Sequence, residues 1–221
     1  MSQTEAAARR VKPAKQSMLL AGVMAPIWLI VVTVVDGATR QDYKPWHQWV
    51  SHLELGDRGW LGVANLAVCG VLLVGYWFGL RQALDGGRRA RWARRLVLLA
   101  GIGFVAAAAF RIDPGLGYPP GTPSGRSLSG SIHDLAGGVV FISLTIAAVL
   151  LGRSTPGNAK RGYLVAAVVA TSFVACSVMA ALDYAGTFPA APSGLMERIA
   201  LFAGVGWLGI VAAQLRRGTT R

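Results

Sequence analysis

The stretch SMLLAGVMAPIWLIVVTVV, residues 17–35, carries no charged side chain. At 1.5 Å per residue, a helix of this length spans about 30 Å, the thickness of a bilayer's hydrocarbon core. It is too long for the apolar core of a signal peptide and has no clear small-x-small cleavage site after it. It is therefore expected to remain as a membrane helix. Pro26 should kink that helix, and the carbonyl it frees must find a partner in a bundle. The Arg9-Arg10 pair ahead of the block leaves a double-arginine export signal as the alternative reading.

Five more apolar blocks follow: Leu61 to Leu80, Leu96 to Asp113, Ile132 to Leu151, Tyr163 to Asp183 and Leu195 to Leu215. Each is long enough to cross a membrane. The chain is 53% hydrophobic and 14% charged, with a mean hydropathy of +0.48. The sequence predicts an all-α polytopic membrane protein with a six-transmembrane-helix bundle over residues 17–215. A basic, disordered tail is expected over residues 1–16, and a short tail over 216–221. The net charge of +12 would suggest nucleic acid in a soluble chain. Here the Lys and Arg residues gather in the amino tail, the Arg81 to Arg95 loop, the Arg153 to Arg161 loop and the carboxyl tail, as topology requires. No nucleic acid partner is expected. The positive-inside rule places both termini in the cytoplasm of a multi-pass protein of the inner or plasma membrane. The run Arg88 to Arg95 could also hold anionic headgroups, but the topological role suffices. Cys69 and Cys176 lie within apolar blocks and read as packing thiols.

The first outer loop holds Trp46, Trp49, Val50 and Leu53 at i, i+3, i+4 and i+7, behind Pro45. That spacing predicts a short helix lying in the outer interface, an anchor rather than a lid over the bundle mouth. The outer connection from Pro114 to Gly130 is rich in proline and glycine and should be irregular.

This topology brings polar residues from every span to one outer layer. Asp36 ends the first span and Asn65 lies one turn into the second. Arg111 and Asp113 end the third, and His133 and Asp134 open the fourth. Asp183 ends the fifth, and Glu197 with Arg198 opens the sixth. Ionisable residues at such depth are costly and usually face a bundle interior or a wet cavity, so a shared polar pocket is expected. Asp134 and Glu197 sit in first turns, where the helix dipole favours a carboxylate, and Ser131-x-x-Asp134 fits a capping box. Asp36, Asp113 and Asp183 fall at carboxyl-terminal ends, where the dipole disfavours one. They should find a cation among Arg111, Arg198 and His133, or keep their proton and serve as general acids. No cofactor motif is present, and the cysteine and histidine spacings match no standard zinc site. A mixed site of His133, His52 and Asp113 is the remaining metal option.

Several short motifs carry a resemblance: Ser51 to Gly56, Asn65 and Gly70, Phe110 to Asp113, His133, and Glu197-Arg198. Over residues 18–215 the chain resembles the domain of unknown function 998 family of prokaryotic membrane proteins. The resemblance implies six membrane helices and no agreed activity. Among the candidates it picks out Asp113, His133 and Glu197.

Two functions are compatible with these residues. In the first, a membrane enzyme uses Asp113, His133, Asp134, Asp183, Glu197 and Asp36 for acid–base chemistry on a lipid or isoprenoid, such as a proton-initiated cyclisation or, equally, hydrolysis or acyl transfer at a lipid headgroup. Asn65, Arg111 and Arg198 would bind the substrate, while the rings of Trp60, Trp207 and Trp28 stabilise a developing cation. In the second, a non-catalytic lipid-binding, sensing or accessory subunit uses the same layer to recognise headgroups or a partner protein. The expected partner is a membrane lipid or lipophilic small molecule, and the sequence does not name a partner protein. A transporter fits less well, because the midplane is nearly free of charge.

Overall fold

The computed structural model describes residues 3–84 and 86–218, with side chains from residue 16 onward. It is all-helical: α1 Gln3–Thr39, α2 Gly59–Ala83, α3 Arg88–Ala109, α4 Leu128–Ser154, α5 Ala159–Tyr184 and α6 Ser193–Gly218. Each contains a stretch long and apolar enough to cross a membrane. The helix expected to start near Ser17 runs back to Gln3, in keeping with the helix-forming Glu5-Ala6-Ala7-Ala8-Arg9-Arg10 run. The tail therefore continues α1; Met1, Ser2 and the last three residues lie outside the described residues.

Helices adjacent in sequence are adjacent in space, and α6 closes the ring against α1 while also touching α4. Short connections between antiparallel spans favour this order. Lipid cannot drive helices together hydrophobically, so close packing of small residues must. Gly70 of α2 and Gly101 of α3 show this: a Cβ on Gly70 would come 2.7 Å from the Gly101 carbonyl oxygen. Along the axis, Leu73, Tyr76, Leu144, Val205 and Leu208 are fully buried.

The first loop differs from the expected interfacial helix. It carries only a short 3-10 helix, Val50–Glu54, and all five of its residues are buried. Trp46 is 56% exposed while Val50 and Leu53 are buried, so the anticipated stripe does not share one face. The reason lies in the polar residues between them. His47, Gln48, Ser51, His52 and Glu54 are buried as well, because the loop dips into the ring and finds hydrogen-bond partners there. Glycines admit it: a Cβ on Gly62 of α2 or on Gly194 of α6 would collide with the backbone of Leu53 or Gln48 respectively.

The start of α4 also differs. Ser127 is its N-cap and accepts from the Gly130 amide at 3.0 Å, so the helix begins one turn before the expected Ser131 box. Ser131 lies within the helix, donating to the Ser127 carbonyl at 2.8 Å. Asp134 is thereby released from capping.

Candidate functional site

Two arginines hold the inserted loop. Arg40 donates to the carbonyls of Leu53, Leu55 and Arg58 at 2.6, 2.7 and 2.8 Å, and pairs with Asp36 at 2.8 Å. Arg198 donates to the carbonyls of Pro45 and Gln48 at 2.5 and 2.9 Å and also meets the Tyr43 hydroxyl. Irregular backbone at this level needs such partners, since each buried carbonyl left unpaired is costly. The first turn of α6 helps: the Gly194 and Leu195 amides, without partners in their own helix, donate to the carbonyls of His47 and Trp46 at 3.1 and 2.9 Å. Glu197 accepts from the Val50 amide at 2.5 Å, capping the 3-10 helix.

Beneath this roof a cleft of about 340 Å³ lies between α4 and α5. Trp49 and Ser51 cover it, and Gly137 and Gly138 of α4 face Ala180 and Ala181 of α5. Its inner end is the stacked pair Phe141 and Phe173, ring centres 4.4 Å apart. Asp134, Ser177 and Ala181 are exposed on its rim, so it opens sideways between two membrane spans. The lining is mostly apolar, with a few convergent titratable groups: His133, Asp134, Glu197 and Cys176. That combination is what a small-molecule site needs. His133 and Glu197 also line a 40 Å³ cavity further inside the ring.

The His133 ring is fixed by the end of α3. Its Nδ1 lies 3.0 Å from the carbonyl oxygens of Ala107 and Phe110, at the end of α3. Carbonyls only accept, so Nδ1 carries the proton and Nε2 keeps its lone pair. If Nε2 takes a proton, the cation sits at a helix carboxyl terminus, where it is stabilised. Glu54 stands behind the ring, its Oε2 3.6 Å from Nδ1 and 3.3 Å from the Ile112 amide. Burial pushes the Glu54 carboxyl up to about 8, and its Oε1 has no hydrogen-bond partner.

A family described as protein of unknown function (DUF998) has a model that matches residues 23–214. The chain belongs to that family. No curated protein and no solved structure matches this DUF998 chain.

The remaining candidates of this DUF998 protein lie outside the cleft. Asp36 is 3% exposed and held by Arg40 and by Arg58 at 2.8 Å, neither of them an expected partner. Asp183 pairs with His47 at 2.6 Å, linking α5 to the loop. Asp113 is not at the end of α3, which stops at Ala109. It accepts from the Ser127 amide and hydroxyl at 2.7 and 2.6 Å, beside the amino terminus of α4. Those two hydrogen bonds hold its carboxyl below the ordinary range, opposite to the proton-retaining acid that is one of the two sequence expectations, while Ser127 takes the place of the cation that is the other. Asn65 donates to Thr33 at 2.9 Å, tying α2 to α1. Arg111 is exposed, Trp60 and Trp28 are exposed, and Trp207 is buried away from the cleft. The rings that do line it are Trp49, Phe141, Phe173 and Tyr184. Among the described residues no group of three His, Cys, Asp or Glu side chains converges as metal ligands would, so His133, His52 and Asp113 do not assemble a metal site.

Glu54 is a site residue that the sequence does not single out, and His52 enters there only as a possible metal ligand. Both lie in the Ser51 to Gly56 motif. A charged residue among buried loop positions was the available signal, hidden by assigning the segment to the interface.

Proposed function

We propose that this DUF998 protein is a membrane enzyme that performs acid–base chemistry on a lipid or isoprenoid entering the α4/α5 cleft from the bilayer. The observation that carries the reading is an apolar, laterally open cleft lined by His133, whose Nδ1 is held by two carbonyls and whose Nε2 makes no hydrogen bond among the described residues. His133 acts as the base. Asp134, with no hydrogen bond or ion pair among the described residues, acts as the acid. In the most concrete version the Asp134 O–H breaks as its proton forms a C–H bond with a substrate alkene. The resulting carbocation is stabilised by the faces of Trp49, Phe141 and Phe173. Loss of a neighbouring C–H proton to His133 Nε2 restores an alkene, and the proton returns to Asp134 through solvent. The positive-inside distribution favours both termini in the cytoplasm and the cleft at the outer leaflet of a plasma or inner membrane.

A non-catalytic lipid-binding role draws support from a different observation. Asp36, Asp183 and Arg198 hold the loop rather than facing the cleft, which suits a rigid recognition site. Lipid extracts from cells producing wild type, His133→Asn and Asp134→Asn at matched levels separate the two by mass spectrometry. An enzyme gives a product that both variants lose. Identical profiles, with lipid still co-purifying, would sink catalysis and leave the binding role.

A further inference from the structure

A second cavity of about 370 Å³ adjoins the cleft and shares Trp49, Ile112, Asp134 and Tyr184 with it. Its other walls come from the connection between α3 and α4, including Asp113, Ser124 and Arg126, and from His52. This vestibule therefore sits above the spans, where headgroups lie. Phe141, at the inner end of the cleft, is seven residues along α4 from Asp134, about 10 Å deeper at a helical rise.

His52 gives the vestibule a fixed donor. The ring is fully buried and stacked on Trp49, ring centres 5.4 Å apart and planes within 4°. Its Nδ1 accepts from the Trp49 amide at 3.0 Å, so the proton is on Nε2. That Nε2–H has no partner among the described residues. Burial also pulls the imidazole down to about 3, so the ring stays neutral with this tautomer. His52 is among the residues lining the vestibule, and Gly115 lies against its Nε2 edge, where a Cβ would come 3.5 Å from Nε2 and collide with the Tyr184 hydroxyl. A buried donor without a partner is costly, and a ligand oxygen would remove the cost.

The charges around the donor select the ligand further. Arg126 is exposed and, among the described residues, makes no hydrogen bond or ion pair. It faces two carboxylates, Asp113 and Asp134. Two acids against one guanidinium disfavour a net-anionic head, whereas a head carrying both phosphate and ammonium satisfies both signs. We infer that the vestibule is the headgroup subsite of the cleft, and that together they take one amphiphile with a zwitterionic amine-and-phosphate head. The His52 Nε2–H and Arg126 hold the phosphate, Asp134 the ammonium, and the cleft the chain. This rests on the binding reading of the cleft, in which Asp134 is ionised and contacts the headgroup rather than serving as the acid of a reaction.

Binding of three probes of equal chain length to the purified full chain in detergent tests it: a lysophosphatidylethanolamine, a lysophosphatidylglycerol and a fatty alcohol. Wild type should bind the zwitterion about 10-fold more tightly than the anionic probe. His52→Phe, which keeps the stack, and Arg126→Gln, on an exposed loop, should each weaken the zwitterion about 5- to 10-fold and leave the alcohol unchanged. Gly138→Leu, whose Cβ meets nothing within 4 Å, fills the cleft and should weaken all three. If Gly138→Leu acts but neither headgroup variant does, the subsite is refuted while the cleft reading stands. If Gly138→Leu changes nothing, the cleft reading fails and the shared site with it. Equal affinity for the zwitterionic and anionic probes refutes the charge selection.

Discussion

Replacing Arg40 with methionine tests the claim that the loop is held by a buried charge rather than by its own sequence. Arg40 and Asp36 side chains are each 4% exposed. The substitution keeps most of the side-chain volume but leaves a buried carboxylate with only Arg58, whose side chain is 45% exposed. It also strips the charged donor from three carbonyls, those of Leu53, Leu55 and Arg58. Removing one partner of a buried ion pair costs about 3–5 kcal/mol. For a chain of this size that lowers the melting temperature by about 6–20 °C. The loop should also become a protease site before the helices unfold, since its other holds are local. Thermal unfolding in detergent, followed by fluorescence, and limited proteolysis with mass mapping measure both effects. The double variant Asp36→Leu/Arg40→Met should recover part of the loss, because no buried charge is then left unpaired. A single variant that melts within about 1 °C of wild type, with residues 40–58 still protected, would refute the clamp.

Stability should depend on pH with a plateau. Burial raises Glu54 from its ordinary 4.5 to about 8 and lowers His52 from 6.5 to about 3. The Glu54 contribution is full below pH 4.5 and is lost as pH climbs toward 8, because the folded chain keeps a proton that the unfolded chain releases. The His52 contribution is full above pH 6.5 and is lost toward pH 3. Each limb slopes by about 1.4 kcal/mol per pH unit. The two oppose one another between 4.5 and 6.5, so melting temperature should fall only outside that window. Glu54→Gln should flatten the alkaline limb; a wild type already flat from pH 6.5 to 8 would contradict the burial. Ser127→Ala removes the N-cap of α4 and should cost about 1 kcal/mol, read as a melting shift of about 2–4 °C. Asp113→Asn should stay close to wild type in lipid profile and melting, since an amide oxygen can still accept from Ser127; loss of a lipid product in that variant would return Asp113 to the chemistry. Asn65→Leu removes the partner of buried Thr33 and should cost about 1–2 kcal/mol, with headgroup-probe binding unchanged.

Six spans, their order and the gathering of polar residues at one end were legible in the sequence. These are local properties: length, hydropathy and charge repeat within each block, and a span has few alternatives in lipid. His133, Asp134 and Glu197 could be named for the same reason, since depth follows from position along a helix. What each polar group faces was not legible. Asp36 and Asp183 look alike on the chain, yet one meets Arg40 and Arg58 while the other meets His47. Asp113 follows α3 in sequence but serves the start of α4 through Ser127. The first loop decided most of this. Its amphipathic spacing describes a surface helix, but Arg40 on one side and Arg198, some 150 residues later, on the other supply hydrogen bonds to its carbonyls inside the ring. Whether buried backbone can be paired depends on groups remote in sequence, so only the tertiary structure could turn an expected anchor into the roof of the cleft.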